Sequence, residues 1–166
     1  MSWKSAVAVL VVAGLGVPAL ALAKVPSAPA LERGRAALVV TDPQNDFLDP
    51  AGKAHGLFAD NLRALDTVEN IERLFRAARR GSTPVFVSPH FYFPYDGEWK
   101  HPGALQKQLW DLGIFRRADP VDSRGLEGSG ADFLARYKPF MLDGKTVVTS
   151  PHKVYGPETN DLVLQL

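Results

Sequence analysis

The stretch Arg35-Ala-Ala-Leu-Val-Val-Thr-Asp42-Pro-Gln-Asn-Asp46-Phe47 decides how this chain folds. It contains a short, wholly apolar run that ends on a carboxylate at Asp42. A strand that is apolar on both faces is typical of the buried centre of a parallel sheet. Because ligands of such sheets bind beyond the carboxyl ends of the strands, Asp42 is predicted to lie at the ligand-binding edge.

Composition limits the classes of protein to which the chain can belong. Its 166 residues, 46% of them hydrophobic and 22% charged, are enough for one globular core. Nineteen Lys and Arg against eighteen Asp and Glu leave a formal charge of +1, and no basic stripe suits a phosphate backbone, so no nucleic-acid partner is expected. The sequence contains no cysteine, which excludes disulfides, cysteine-ligated zinc and a thiol nucleophile within these residues.

Residues 1–23 have the pattern of a secretory signal peptide. A positive start at Lys4 is followed by an apolar stretch and by the small-x-small cleavage pattern Ala21-Leu22-Ala23. The pattern predicts a secreted or periplasmic protein whose mature chain begins with a tail over residues 24–34. An uncleaved membrane anchor is the alternative, because residues 6–23 approach the roughly 20 residues that a spanning helix needs.

Alternating strands and helices predict an α/β fold for the rest of the chain. Runs rich in β-branched residues predict strands over Ala36–Thr41, Thr83–Ser88 and Lys145–Thr149. The last of these is entered through the turn Asp143-Gly144. Strands separated by helical segments imply right-handed crossovers in a parallel sheet.

Helical patterns lie between the predicted strands. After the first strand, apolar residues at three- and four-residue steps predict one amphipathic helix, through Leu62, Leu65, Val68, Ile71, Phe75 and Ala78. Asp66 and Glu69 resemble a capping box, so a start at Asp66 is an alternative. Two shorter patterns follow the second strand, over Ala104–Leu112 and Ser129–Tyr137, and Ser129 with Asp132 forms a second capping box.

An aromatic-rich stretch over residues 89–142 separates the second and third predicted strands. An insertion that leaves the carboxyl end of a strand is where the wall of a pocket is built. Phe91 and Tyr92 lie nearest the strand end and are the candidates for contacts with a substrate. The alternative is that these rings fill a satellite core or a subunit interface.

The chain closes with the opening of a helix. Leu162, Val163 and Leu166 begin an apolar face, which Thr159 or Asn160 can cap. A helix of about two turns is marginal without packing. We therefore expect the 166 residues to be the front portion of a longer protein.

Three motifs together resemble the isochorismatase-like cysteine hydrolases, the superfamily that also contains the nicotinamidases. They are ALVVTDPQNDFLDPAG from Ala37, the strand exit VFVSPH from Val85, and VVTSPHKVYGPETNDLVLQL from Val147. The resemblance implies a three-layer α/β/α sandwich with a parallel, Rossmann-like sheet. It assigns residues 35–166 to an incomplete hydrolase domain that lacks its C-terminal part.

The resemblance also implies a catalytic Asp, Lys and Cys at the ends of three strands. The Asp corresponds to Asp42 and the Lys to Lys153, whereas the Cys belongs on a following strand-to-helix turn that these residues do not include. A thiol with a pKa near its usual value of about 8.5 is mostly protonated at neutral pH, so a base and a cation are needed to form the thiolate. In this scheme Asp42 takes the thiol proton, and Lys153 stabilises the anion and orients Asp42. Asn45 is a candidate for lining the pocket, the alternative being that it ties its loop to neighbouring backbone.

No metal and no cofactor are predicted. His90 lies where nicotinamidases carry an Asp-x-His metal motif, but the chain has Ser88-Pro89-His90 there. The second histidine, His101, lies eleven residues farther on, so neither the carboxylate nor the short histidine spacing of a zinc site is present. This departure also argues against nicotinamide as the substrate.

Three hypotheses follow from the sequence. The favoured one is an exported cysteine hydrolase that cleaves an amide or related bond of a small molecule, with the chain being a truncated portion of it. The second is a pseudoenzyme that binds a small molecule without turnover. The third is a structural fragment that folds only with a complementary chain or another copy, and a homo-oligomer is compatible with all three.

Overall fold

The structure is a computed structural model that describes residue 32, residues 34–154 and residues 159–166. The predicted signal peptide over residues 1–23 and most of the predicted tail over residues 24–34 lie outside the described residues. Among the helices that are described, none is both long enough and apolar enough to cross a bilayer.

Three parallel strands form the sheet, in the order β1-β2-β3. They span Leu38–Thr41, Val85–Ser88 and Val147–Val148. Val40 of β1 pairs with Val87 of the central strand β2, and Val87 pairs with Val148 of β3. The α/β class and the parallel sheet are therefore confirmed.

The helices occupy the connections between and after the strands. In chain order they are α1 Asn45–Leu48, α2 His55–Ala64, α3 Thr67–Gly81, α4 Ala104–Leu112, α5 Lys138–Met141 and α6 Leu162–Gln165. Single 3₁₀ turns cover Pro94–Glu98 and Ala135–Tyr137. The predicted bounds of α4 are confirmed, and α3 ends at Gly81, with Arg79 and Arg80 in its last turn.

The helix after β1 is broken in two, contrary to the prediction of a single helix. Asp66 takes a left-handed conformation with φ of 46° between α2 and α3. The break turns Leu65 out of the apolar stripe and leaves it 62% exposed. Asp66 does precede α3, but its side chain makes no capping bond, and Glu69 instead pairs with Arg136. The predicted helix start at Asp66 therefore agrees with the start of α3, but the predicted side-chain hydrogen bonds of a capping box are not formed.

One other predicted element is shorter than expected, and another is missing from the described residues. The third strand was predicted over Lys145–Thr149, but the amides of Lys145 and Thr146 donate to the Asp143 carboxylate instead of entering the ladder. The helix predicted to start at Ser129 is absent from the described residues around it. There the Asp132 carboxylate accepts from the Gly128 amide and pairs with Lys138, so it ties a loop together.

The main core lies where the sheet meets α3 and the end of the insertion. Its centre is the Phe75 ring, which is 1% exposed and stacks on Phe140 at a centroid distance of 5.5 Å. Val40 and Val87 supply the sheet side of this core, and Tyr137 lies beside Phe75. Burying side chains of this size contributes about 1.5–3 kcal/mol each. The insertion is thus packed against the sheet and helps to hold its carboxyl edge in place.

Gly130 is required because its backbone lies against the Asp46 carboxylate, which is 2% exposed. Replacing Gly130 with Ala would drive the new methyl group into that carboxylate, which cannot retreat because it accepts the Lys53 and Phe115 amides. We expect Gly130→Ala to lower the free energy of unfolding by about 1–3 kcal/mol. Chemical denaturation measures this loss.

Gly56→Ala is the matched control, because no atom lies within 4 Å of its added methyl group and Gly56 is in α2. There the exchange is expected to stabilise the protein by about 0.5–1 kcal/mol through helix propensity. Equal effects of the two substitutions would show that the contact with Asp46 does not matter.

Candidate active site

Asp42 lies directly after β1, at the carboxyl edge of the sheet. Its φ of 53° is in the left-handed region, which residues with a Cβ rarely adopt and which is enriched at functional sites. Its amide still donates to the Ser88 carbonyl at 3.1 Å, so the last bond of the ladder fixes it beside β2. The side chain is 24% exposed, and the carboxylate is therefore accessible from solvent.

The Gln44 side chain joins the loop after β1 to the exit of β2. It is fully buried, and its amide nitrogen donates to the carbonyls of His90 and Ala131, each at 2.8 Å. Its oxygen accepts the His90 amide at 2.8 Å. Gln44 thereby extends the hydrogen bonding between two strands that have already ended, and it fixes the backbone of His90 relative to Asp42.

The same triplet, Ser-Pro-His, follows both β2 and β3. Its first copy is Ser88-Pro89-His90 and its second is Ser150-Pro151-His152. The two histidines pair across the edge of the sheet, with ring centroids 4.8 Å apart. Parallel strands thus bring both imidazoles to the edge that carries Asp42.

Pro151 sets the register of this pair. The Thr149 amide donates to the Val87 carbonyl, so a regular parallel ladder would next use the amide of residue 151. Proline has no amide hydrogen, and His152 donates to the Pro89 carbonyl at 2.8 Å instead. The chain beyond β3 is therefore offset by one residue relative to the chain beyond β2.

His152 is the hydrogen-bond partner of Asp42. Its Nε2 lies 2.7 Å from Asp42 Oδ1, and its Nδ1 contacts the Lys153 carbonyl oxygen. Burial opposes the charged form of His152, but the hydrogen bond and the charge of Asp42 outweigh it, so the pKa of His152 is raised. The second carboxylate oxygen of Asp42 has no hydrogen-bond partner among the described residues.

His90 is the more deeply buried imidazole, at 2% exposure. Burial lowers its pKa to about 4, and the nearby Asp42 charge offsets only part of that effect. Its Nε2 has no hydrogen-bond partner within the described part of the chain. The ring lies between those of Tyr92 and Phe115, with centroid distances of 4.7 and 5.0 Å. His90 is therefore a neutral imidazole at pH 7.

Lys153 lies at the same edge but faces a different acid. Its Nζ donates to the Phe91 carbonyl at 2.7 Å and forms an ion pair with Asp96, whose side chain is 2% exposed. Within the described residues no hydrogen bond or ion pair joins Lys153 to Asp42, so the expected direct orientation of Asp42 by Lys153 is not seen. Its predicted catalytic role stays a prediction.

The three predicted substrate contacts lie around this edge. The Asn45 side chain donates to the Ser129 carbonyl at 2.8 Å and ties the loop to the insertion. Phe91 packs in a small cluster with Phe93 and Ala131. Tyr92 is fully buried, and its ring lies 5.6 Å from Lys153 Nζ. Their contacts with a substrate stay predictions.

A cleft of about 380 Å³ opens beside Tyr92. Aromatic and guanidinium groups dominate its wall, which is formed by Tyr92, Phe93, Pro94, Trp110, Arg116, Arg117 and Ala118. Its volume falls in the lower part of the range for small-molecule sites. Aromatic residues of the insertion therefore line a surface cleft, and they also fill satellite cores. Asp42, His90, His152 and Lys153 are not among the residues that line this cleft.

Sequence reasoning missed His152 and Asp96 as members of the site. A signal for His152 was present, because the repeated Ser-Pro-His triplet places a histidine just beyond each of two neighbouring strands. His101, the second histidine considered from the sequence, is instead exposed in a loop. Asp96 gave no signal, since its place depends on how the 3₁₀ turn Pro94–Glu98 folds back on Phe93.

Comparison with known proteins identifies the family to which this geometry belongs. The model of the isochorismatase domain matches residues 36–126, which is more than half of the chain. The match includes Asp42, Asn45, Phe91 and Tyr92, and it ends before Lys153. A search of curated proteins found no match to the chain.

The lowered pKa of His90 predicts a loss of stability in acid. Between its ordinary pKa of 6.5 and its folded pKa of about 4, the unfolded chain binds the extra proton and the folded chain does not. Stability is therefore retained above pH 6.5 and falls as the pH drops toward 4, by about 3 kcal/mol for this group. Urea unfolding from pH 7 to pH 4.5 measures the effect.

The variants His90→Gln and His101→Gln separate this contribution from general acid effects. The first should reduce the acid-induced loss, and the second should leave it unchanged because His101 is exposed. His152 works in the opposite sense: its raised pKa gives stability that is present below pH 6.5 and is lost as the pH rises through the folded pKa. An identical acid loss in wild type and His90→Gln would contradict the assignment.

Proposed function

Since the chain belongs to the isochorismatase family, a hydrolase-like family, we propose that the protein hydrolyses an amide, a vinyl ether or a related acyl bond of a small molecule at the carboxyl edge of its sheet. The observation that carries this proposal is the position of Asp42. It lies in a left-handed conformation after β1, with one carboxylate oxygen held by His152 and the other without a partner among the described residues.

Asp42 is suited to act as a general base. The hydrogen bond from His152 fixes one oxygen, while the second oxygen is available to accept a proton. A carboxylate that is held in this way can take a proton from a nucleophile and later return it to the leaving group.

The nucleophile in this proposal is a thiol, as the family resemblance implies. For an amide substrate, its S–H proton passes to Asp42, the thiolate attacks the carbonyl carbon, and the leaving amine takes the proton back as the C–N bond breaks. Water then hydrolyses the thioester. The 166 residues contain no cysteine, so the proposal requires a thiol from outside them.

Lys153 and the cleft complete the proposed site. Lys153 Nζ lies 4.8 Å from the Phe93 ring centroid, and Phe93 also lines the cleft. The cation thus lies at the boundary between the sheet edge and the cleft, where it can stabilise a developing anion. The aromatic wall favours a flat or partly apolar substrate, with Arg116 and Arg117 near any anionic group.

A pseudoenzyme that binds without turnover is the second candidate. The absence of cysteine from the 166 residues favours it, because the remaining groups supply a base and a cation but no thiol. The two candidates differ in one measurable respect: both bind a small molecule, and only the hydrolase releases a product.

Asp42→Asn tests the proposed base. In the protein expressed from its native gene, we expect hydrolysis of small aromatic primary amides, followed as ammonia release, to fall by about 10²–10⁴-fold in this variant. Asp60→Asn is the matched control, because the Asp60 side chain is 96% exposed and should leave the rate unchanged. A thiol-alkylating reagent should also abolish activity.

Three outcomes would each contradict one part of this proposal. Binding of such amides or of vinyl ethers with no product would favour the pseudoenzyme. An unchanged rate in Asp42→Asn would remove Asp42 from the mechanism. Turnover by the 166-residue chain alone, insensitive to thiol alkylation, would show that the nucleophile is not a thiol.

Export is also part of the proposal, and residues 1–23 support it through their positive start, apolar stretch and Ala21-Leu22-Ala23 pattern. We expect a cut after Ala23, so the mature protein should begin at Lys24. N-terminal sequencing of the protein from the periplasm or medium measures this. An intact N terminus on membrane-bound protein would favour the anchor instead.

A further inference from the structure

We propose that Asp42, His90 and His152 together bind one divalent transition-metal ion of the zinc class. One ligand atom from each of the three side chains lies within 4.8 Å of the others. Two imidazoles and one carboxylate come from the exits of all three strands, β1, β2 and β3. This site shares Asp42 with the hydrolytic function proposed above, but metal binding does not depend on a thiol.

The hydrogen bonding of His152 leaves a place for a cation. Its Nδ1 faces the Lys153 carbonyl oxygen and its Nε2 faces Asp42 Oδ1, so both ring nitrogens point at acceptors. A neutral imidazole has one N–H and can satisfy only one of them. Without a metal, a proton on Nε2 satisfies the Asp42 carboxylate, and a bound metal ion would take the place of that proton while Nδ1–H still donates to the backbone carbonyl.

This arrangement is the one that metal-bound histidines adopt. A ligating imidazole usually donates its other N–H to a carbonyl or carboxylate, which fixes the ring and its tautomer. In His152 the Lys153 carbonyl supplies that acceptor. The Pro151 offset matters here, because it sets the His152 amide on the Pro89 carbonyl and so places the ring at the edge.

His90 provides the second, independent observation. Its side chain is 2% exposed, yet its Nε2 has no hydrogen-bond partner among the described residues. Buried polar atoms are nearly always paired, so an unpaired nitrogen in this position needs an explanation. The ring lies against that of His152, and a ligand shared by the two rings accounts for it.

The donor set selects the class of ion. Imidazole nitrogen suits zinc, copper, iron and nickel, whereas magnesium and calcium prefer oxygen ligands. Three protein ligands leave a fourth position for water or a ligand, as in catalytic zinc sites. Ligands of a tetrahedral zinc lie roughly 3.3 Å apart, so binding needs only small side-chain movements from the 2.7 Å and 4.8 Å limits seen here.

Zinc binding to the purified full chain tests the proposal without any activity measurement. We expect isothermal titration with Zn²⁺ to show one site per chain, and Mg²⁺ at the same concentration to show none. His90→Ala and His152→Ala should each weaken Zn²⁺ binding by at least about tenfold. His101→Ala is the matched control, since His101 is exposed and outside the cluster, and it should bind as wild type does.

A Co²⁺ spectrum of the wild type keeps the test decisive if an alanine variant fails to fold. Intense visible absorption typical of four or five ligands, without a sulfur-to-metal charge-transfer band in this cysteine-free chain, is the expected result. The weak absorption of an octahedral ion, no Zn²⁺ binding, or binding that His101→Ala removes and His152→Ala does not, would each overturn the site. Failure of the hydrolase test alone would leave it standing.

Discussion

The three hydrogen bonds of the buried Gln44 side chain are the constraint on which the site depends. They link the loop after β1 to the backbone of His90 and to the insertion at Ala131. Without them a buried amide and two buried carbonyls would lack partners, at about 1–3 kcal/mol each. Two residues after Gln44, the buried Asp46 carboxylate also links separate segments, because it accepts hydrogen bonds from the amides of Lys53 and Phe115. The edge of the sheet is therefore rigid before any ligand binds.

This rigidity explains how an acid can be held in an unfavourable backbone conformation. The left-handed φ of Asp42 is tolerated because its own amide and the Gln44 side chain after it are both hydrogen-bonded to the chain around β2. The same packing places side by side two imidazoles whose pKa values are shifted in opposite directions. Burial keeps His90 neutral, whereas Asp42 favours the charged form of His152. The site therefore contains the neutral imidazole of His90 and the imidazole of His152, which pairs with Asp42, with ring centroids 4.8 Å apart.

Much of the fold could be read from local sequence patterns, because β2 is a short apolar run that is largely buried and α3 has Phe75 and Ala78 buried at a three-residue step. The exceptions arise where side chains compete for backbone groups. Asp143 takes the amides of Lys145 and Thr146 and shortens β3. Asp66 adopts a left-handed conformation and divides one helix into α2 and α3. The sequence also placed Asp42 and Lys153 at one edge, and the repeated Ser-Pro-His triplet was a signal for His152, the partner of Asp42. The pairing of Lys153 with Asp96 depends on long-range packing that no local pattern contains.

Because Pro151 has no amide hydrogen, it affects which acidic side chain pairs with His152 and which pairs with Lys153. Neighbouring residues of an extended chain point to opposite sides, so an offset of one residue exchanges their surroundings. Here it accompanies an arrangement in which the imidazole faces the carboxylate after β1, while the ammonium group of the next residue faces Asp96. The proline ring at position 151 thus determines which acidic side chain His152 and Lys153 each pair with. Relatives with a residue other than proline at this position should be able to exchange these two pairings.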